Sequence, residues 1–541
     1  MNLYAHQLEG IKFLVARSGA MLDTSRWKQP APLKHQLVGV QALLRNKAFY
    51  LADEPRTGKS RQVVDAACML REMNLIDLVV VVARVSGRGV WGNAKIGQVK
   101  RWSWLPVRVF EYHQNQHDLW SDANPQLTWV VTNYDFVRSD KRLSEFLGRL
   151  SNYKSIMLVF DESQKLGNEH SLQSKAAMKI CWSKQELRDQ NGKVARINWQ
   201  PRVLRRVMLS GTPGGPLKQW SQFNILDHVF DRRFKSVISF KWRFAEYGDP
   251  VLRPIPGRNG KKGGLKTVHP QVGWKNLDKL SKITAPYCLM RKRKDCEGLR
   301  DVPVDAAFAE VRLSKETWKL YQSLKRDAIV QLSTGELYVS PNKGVCLMRL
   351  AQVASGHLGG FEEFEPVRWL SNEKVDWLAE ELKEECLSQN ILVWCRWVAE
   401  RKQVAERLKN DGFTVYQIHG GQNKSQRRMM EMIFAEDAQR ATNRCVLVAQ
   451  PQAGGDSLDM SAASDVYRMS SDFNWETFSQ SNQRPLGPAQ QAAVVRSTDV
   501  VACGPDGQRT IEHTILEARE ENRILEKMTC EWWKKELEDD K

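Results

Sequence analysis

Three short segments carry residues whose types and order suit phosphate chemistry. Residues 49–60 read FYLADEPRTGKS: an apolar strand, a turn, Gly58-Lys59-Ser60, then a helical pattern. The phosphates of a nucleotide need backbone N–H groups at a helix N-terminus, a lysine for the outer oxygens and a hydroxyl for a magnesium ion, and this order supplies all three. Residues 156–162 read IMLVFDE, which places Asp161 and Glu162 at the C-terminal end of an apolar strand, the edge of an α/β sheet where ligands bind. The first carboxylate suits Mg²⁺ and the second suits polarising an attacking water. Residues 209–213 read LSGTP, with the hydroxyls of Ser210 and Thr212 flanking Gly211 at a further strand end. Taken singly, each segment has a bland reading: a chance Gly-Lys-Ser, a solvated strand end, an isolated turn. One departure is visible at once: the first glycine of the usual phosphate-loop pattern is missing, and Asp53 stands in its place.

The elements that must position these residues are legible as short apolar runs. LVVVVA (78–83), TWVVT (128–132), IMLVF (156–160), ILVWC (391–395) and RCVLVA (444–449) read as buried parallel strands, with helical patterns between them such as SRQVVDAACMLREM (60–73). Strands alternating with helices predict an α/β fold with parallel sheets covered on both faces. Two clusters of strands, before about residue 220 and after about 390, predict two α/β lobes with helical insertions between them and a packed C-terminal helix. The expected boundaries are an N-terminal segment (1–29), lobe one (30–232), basic and helical insertions (233–371), lobe two (372–509) and the brace helix (510–541). Residues 250–275, rich in Gly, Pro and Lys, read as an exposed loop, and 314–384 as largely helical. AHQLEGIKFLV (5–15) echoes KHQLVGVQALL (34–44), but only the second copy leads into the phosphate-loop pattern.

The 541 residues carry 81 Lys plus Arg against 63 Asp plus Glu, a formal charge of +18. A surplus of this kind favours a polyanion, because basic side chains release counterions when they meet phosphates. It is concentrated: Arg253 to Lys294 holds twelve Lys or Arg against one acid, Asp278. Within it, Lys261, Lys262 and Lys266 are candidate nucleic-acid contacts. The ten cysteines include no C-x-x-C pair, which argues against a zinc site and for reduced thiols in a cytoplasmic-type compartment. No apolar run reaches the length of a membrane span, and the N-terminus has no signal pattern.

The ordered set LADEPRTGKS, VFDESQKLGN, MLSGTPGGPLKQW, LMRKRKDCEGLRDVP, LMRLAQVASG, ILVWCRW, YQIHGG, AQPQAGGDSLDMSAASDVYRMSSDFNWETFSQSNQRPLGPAQ and TIEHTILE resembles the Swi/Snf-type branch of superfamily-two helicases, in particular its compact phage or annealing-helicase-like members. Over roughly residues 30–525 the resemblance implies two RecA-like parallel-sheet lobes with helical insertions and a C-terminal brace helix, forming an ATP-dependent motor on double-stranded or branched DNA, with ATP and Mg²⁺ as cofactors. It implies largely sequence-independent binding, and replication, recombination or repair proteins as the protein partners of such a motor. Gln36 matches the adenine-reading glutamine, and Gln7 is too distant to fit. Thr57, Gly58, Lys59 and Ser60 match the phosphate and metal contacts. Asp161 and Glu162 match the metal and water carboxylates, and Ser210 and Thr212 the coupling motif. Thr132 matches a DNA-backbone contact. Gly454, Gly455 and Ser461 fall in a lobe-two motif that meets DNA and nucleotide, Gly455 on the nucleotide side and Ser461 on the DNA side. Gln480 and Arg484 match the start of the final motif, whose arginines reach the γ-phosphate from lobe two. Four positions depart from the pattern: Arg56 and Ser457 replace glycines, Gln164 stands where His is common, and Gly487 stands where the second arginine belongs. Gly487 leaves a second reading open, a nucleotide-gated DNA-binding protein with weak ATPase, and an RNA-directed helicase is a third.

Overall fold

The computed structural model describes residues 25–521 apart from 26, 86, 94–96, 113–125, 189–193, 212, 235, 255–264, 334–341, 360–366, 385–389, 441–443, 454–457 and 488. The chain forms two compact units. Among the described residues, the first takes those up to Glu246 and Val272–Arg300; the second takes Tyr247–Gln271 and those from Asp301 to 521. The middle region is thus shared between the two units.

The first unit is built on a parallel sheet. Its strands are β1 (Ala48–Leu51), β2 (Leu78–Ala83), β3 (Val107–Glu111), β4 (Leu127–Asn133) and β5 (Ile156–Asp161). An antiparallel pair follows, β6 (Trp182–Arg188) with β7 (Val194–Pro201), and then β8 (Arg205–Leu209) and the two-residue β9 (Cys288–Leu289) return to the sheet. The spatial order is β9-β1-β8-β5-β2-β4-β3. Burial on both faces explains the uninterrupted apolar runs. Tyr50, Val80, Val82, Phe160 and Met208 enter one core, while Leu51, Val79, Val81, Val159 and Leu209 enter the other, as the two-residue period of a strand requires. The register sets Leu51 beside Leu209, Leu209 beside Asp161, and Phe160 beside Val82. The strand ends followed by the phosphate loop, the carboxylate pair and the LSGTP turn therefore lie side by side on one edge.

Three helices matter for that edge: α1 (Lys34–Arg45), α2 (Lys59–Glu72) and α3 (Gly87–Gly92). α2 runs straight out of the loop after β1 and buries Val63, Val64, Ala67 and Leu70 against the sheet.

The second unit repeats the architecture with β10 (Val304–Arg312), β11 (Asn390–Trp394), β12 (Thr414–Ile418), β13 (Cys445–Ala449), β14 (Asp465–Arg468) and β15 (Val495–Cys503), all parallel, in the order β10-β15-β14-β11-β13-β12. Helices α4 (Glu373–Glu384) and α5 (Val398–Asn410) cover one face through Val375, Leu378, Leu382, Val404 and Leu408. α6 (Trp475–Asn482) leads into the segment that carries Arg484. A helix over residues 511–521 follows.

The stretch expected to be an exposed loop contains more order than that. Val251–Pro254 pairs antiparallel with Leu265–Val268, in keeping with a sequence in which apolar residues flank a Gly-rich segment. Lys266 pairs through its backbone with Arg253, whereas Lys261 and Lys262 lie outside the described residues. No described helix is long and apolar enough to cross a membrane.

Candidate nucleotide-binding site

Gln36 sits in the first turn of α1 and faces the phosphate loop. It is buried; its Nε2 donates to the Thr57 carbonyl at 3.2 Å, and its Oε1 accepts the Leu33 N–H at 3.0 Å. His35 places Nε2 2.8 Å from the same carbonyl. The loop turns through two left-handed residues, Arg56 (φ 66°) and Gly58 (φ 83°). A Cβ at Gly58 would lie 2.2 Å from Gln36 Nε2, so glycine is required there on two counts. Thr57 is wholly buried, and its hydroxyl donates to the Glu54 carbonyl at 2.8 Å. Lys59 donates from Nζ to the carbonyls of Asp53 (2.6 Å) and Glu54 (3.0 Å), which holds the ammonium over the loop. Burial pushes the Lys59 ammonium below its usual range, and the carboxylates of Asp53, Glu162, Asp161 and Glu54 oppose that shift. Ser60, half-buried, follows it in the first turn of α2.

Asp161 ends β5 with both carboxylate oxygens engaged. Oδ1 accepts the Glu162 N–H at 3.1 Å, and Oδ2 accepts the indole N–H of the fully buried Trp91, on α3, at 2.7 Å. Burial raises the Asp161 pKa to about 6; the Glu162 charge adds to this, while Trp91 and Lys59 pull it down. Glu162 adopts φ 53°, a left-handed conformation that a non-glycine residue takes only where its surroundings impose it. Gln164 Nε2 donates to Glu162 Oε2 at 2.5 Å, and Ser210 Oγ donates to Gln164 Oε1 at 2.6 Å. Gln164 therefore bridges the carboxylate pair to the LSGTP turn. In that turn a Cβ on Gly211 would lie 2.6 Å from Pro55 of the phosphate loop, so the two segments pack in direct contact. Tyr134, which follows β4, donates its hydroxyl to the Asp161 carbonyl at 2.8 Å.

These residues fit a magnesium ion of the kind that keeps most of its waters and takes few protein ligands. Asp161 offers a single oriented carboxylate and Ser60 a hydroxyl at the helix start. Among the described residues there is no cluster of three His, Cys, Asp or Glu that would hold an ion by itself.

The other expected site residues are placed differently. Thr132 is wholly buried on β4, and its hydroxyl has no hydrogen-bond partner among the described residues; in this conformation it offers no surface to a phosphate. Ser461, in the second unit, is buried, with its N–H donating to Asp459 at 3.1 Å. Arg484 follows α6; its guanidinium donates to the Leu458 carbonyl at 3.2 Å, and its own carbonyl accepts the Met460 N–H. The end of α6 is held by the buried Arg468, which donates to Ser481 Oγ (3.0 Å) and Asn482 Oδ1 (2.5 Å) and meets Asp499 at 3.4 Å. Arg519, on the 511–521 helix, binds the other side of Asp499 at 2.7 Å. Gly487 is buried in a tight turn whose carbonyl accepts the Gln490 N–H at 3.0 Å. Arg496, a candidate substitute for the missing arginine, is engaged by Asp465 at 2.6 Å. Gln7, Thr212, Gly454, Gly455 and Ser457 lie outside the described residues. Sequence reading missed Trp91, the bridging role of Gln164 and the contact between Gly211 and Pro55.

The SNF2-related domain family matches residues 6–354, and the helicase conserved C-terminal domain matches residues 373–486. Among solved structures, the chain is similar to a Sulfolobus solfataricus SWI2/SNF2 ATPase core in complex with dsDNA, at 16% identity over 89% of this chain and 90% of that one, with a TM-score of 0.39. It is also similar to the same organism's SWI2/SNF2 ATPase core domain, at 15% identity over 90% and 88% of the two chains, again with a TM-score of 0.39. No curated protein matches it. The chain belongs to the SNF2-related family of superfamily-two helicase-like, DNA-dependent ATPases.

Proposed function

We propose that this ATPase is a translocase on duplex DNA, with ATP bound at the C-terminal edge of the first unit's sheet. The observation that carries the reading is the meeting, on that edge, of the Gln36–Thr57 contact, the Lys59 ammonium, the Asp161–Glu162 pair and the Gln164–Ser210 bridge. In this reading Gln36 meets the base, and Thr57, Gly58, Lys59 and Ser60 receive the phosphates. Ser60 and Asp161 are the residues that would hold Mg²⁺. When bound, the ion neutralises charge on the phosphate oxygens. Glu162, held by Gln164, orients the attacking water, and Lys59 leaves the loop carbonyls to stabilise the charge that develops on the outer phosphate. The family resemblance assigns Arg484 and Gly455 to the nucleotide, and Ser461 and Thr132, both buried in this structure, together with the lysines at 261, 262 and 266 to the DNA side. Residues 30–232 and 372–509 are assigned as the two motor lobes, with 233–371 inserted and 510–541 as a brace.

The test is phosphate release measured with no nucleic acid, single-stranded DNA, duplex DNA and forked DNA. Duplex DNA is expected to stimulate most, and Lys59→Ala or Glu162→Gln to abolish the activity, since either change removes several kcal/mol of transition-state stabilisation. Wild-type turnover in Lys59→Ala would end the assignment. A second reading, nucleotide-gated DNA binding with weak hydrolysis, draws on the buried Gly487 turn and on the engagement of Arg496 by Asp465. It expects tight ATP binding with turnover that duplex DNA barely changes.

A further inference from the structure

Asp53 takes the place where a phosphate loop ordinarily begins with glycine, and its side chain has no exposed surface. A buried carboxylate is tolerated only with a cation and hydrogen bonds to match. Arg291, 238 positions further along the chain, meets both needs: Nε donates to Asp53 Oδ1 at 2.9 Å and Nη2 to Oδ2 at 2.5 Å, a two-pronged pairing. The same guanidinium donates through Nη1 to the His35 carbonyl and reaches Gln62 Oε1 at 3.3 Å. One side chain thus ties together α1, the loop and α2. The backbone around Arg291 reinforces the tie. Leu289 O accepts the Ala52 N–H at 2.8 Å, Arg291 O accepts the Glu54 N–H at 3.0 Å, and Glu54 Oε2 accepts the Arg293 N–H at 2.8 Å. Space is kept for it: a Cβ on Gly39 would lie 1.7 Å from Gln62 Oε1 and 3.3 Å from Arg291 Nη2. The Asp53 carbonyl is also the acceptor that Lys59 uses at 2.6 Å.

We infer that Arg291 is a positioning residue for nucleotide binding: through Asp53, His35 and Gln62 it holds the phosphate loop in the shape that receives the phosphates, replacing the tight turn a glycine would allow. The inference rests on the proposed nucleotide site. Arg291 touches no phosphate in this role and acts through the loop. A lysine cannot reproduce it, because a point charge cannot serve both carboxylate oxygens and a carbonyl at fixed angles.

The experiment measures binding of a fluorescent ADP to the full chain without Mg²⁺, together with ATP turnover and thermal melting. Arg291→Gln and Arg291→Lys are each expected to raise the Kd for ADP at least tenfold and to raise KM more than they lower kcat. Asp53→Asn is expected to do the same. The double variant Asp53→Asn with Arg291→Gln, which leaves no unpaired buried charge, is expected to bind more tightly than Arg291→Gln alone. Arg206→Gln serves as the structural control; it breaks the buried Arg206–Asp227 pair of the same unit and should lower Tm without moving the Kd. If Arg291→Gln fails to fold, Arg291→Lys, which keeps the charge, carries the comparison. A Kd within twofold of wild type in folded Arg291→Lys and Arg291→Gln would overturn the inference, as would changes in Kd that follow Tm along the same line as the control. Lys59→Ala separates the two levels. If it leaves ADP binding unchanged, the nucleotide-site reading itself fails. If it weakens binding while the Arg291 variants do not, only the role of Arg291 falls.

Discussion

Arg56 shows what the loop asks of a single residue. Its φ of 66° is one that glycine adopts freely, whereas a residue with a Cβ pays roughly 1–2 kcal/mol for it. Comparing two truncations isolates that cost, since both lose the arginine side chain: Arg56→Gly is expected to be more stable than Arg56→Ala by about 1 kcal/mol in urea unfolding, after the entropy that glycine returns to the unfolded chain. Equal stabilities would mean that the backbone there relaxes. A second residue-scale effect belongs to His357, buried in the second unit with its ring 6.0 Å from Trp369 and 5.7 Å from Trp397. Burial lowers its pKa from 6.5 to about 4. The unfolded chain therefore takes up a proton as pH falls through 6.5, and the folded chain resists doing so until about 4. Stability is fully present above 6.5 and is lost downward through that window, by up to about 3 kcal/mol. Glu400 has the opposite sign, since burial raises its pKa from 4.5 to about 7, so stability tied to its protonated form is lost as pH rises. Comparing His357→Phe with wild type cancels Glu400, which both carry. The variant should gain on wild type between pH 7.5 and pH 4.5, and parallel stability curves would refute this.

At the scale of elements, what matters is which strand ends the sheet brings together. Gln164 and Ser210 follow β5 and β8, neighbours in the sheet, and their bridge holds Glu162 from one side. Gln164→Ala and Ser210→Ala are each expected to lower kcat about tenfold with little change in nucleotide affinity, and the double variant to lose scarcely more than either single, because both interrupt one chain of hydrogen bonds. Additive losses would show that the two act separately. The strands behind this arrangement were legible in sequence: a strand covered on both faces reads as a plain apolar run, and 78–83, 128–132 and 156–160 fall on β2, β4 and β5. Others were not. β9 is two residues long and exists because β1 pairs with it. β10 reads VDAAFAEVR and is exposed along most of its length, so it lacks the apolar run that marks a strand covered on both faces. Asp161 and Glu162 were readable because they end and directly follow a marked strand, and Lys59 because Gly-Lys-Ser opens a helix after a strand and a turn. Trp91 and Arg291 were not, because a hydrogen-bond partner 70 or 238 positions away leaves no local pattern. Asp53 was seen as a departure from the loop pattern, and its burial is what turns that departure into a demand for a cation.

For the whole molecule, the governing quantity is charge and where it is carried. A chain of formal charge +18 attracts any polyanion, and attraction of that kind depends on salt in a way a specific base contact does not. Each lysine that neutralises a phosphate contributes roughly 0.9 to the slope of log binding constant against log salt on duplex DNA. The stretch from Arg253 to Lys294 serves two ends. Arg291 is turned inward onto Asp53, with a side chain 14% exposed, so it adds to the charge count without being offered to DNA. Lys266 lies on one strand of a hairpin whose strands run over 251–254 and 265–268, and Lys261 and Lys262 fall in the Gly-rich sequence between those strands, outside the described residues. The charge count therefore overstates the surface available, and the lysines of the hairpin are the part expected to act. Replacing all three with glutamine should weaken binding to duplexes of unrelated sequence by similar factors and flatten the salt slope by roughly 0.9 for each phosphate these lysines neutralise, while ADP binding stays at its wild-type value. Binding measured by fluorescence anisotropy at four salt concentrations on two unrelated duplexes decides it. An unchanged slope would make the hairpin a solvated excursion and move the DNA-binding surface elsewhere, and weakening confined to one of the two duplexes would point instead to base readout.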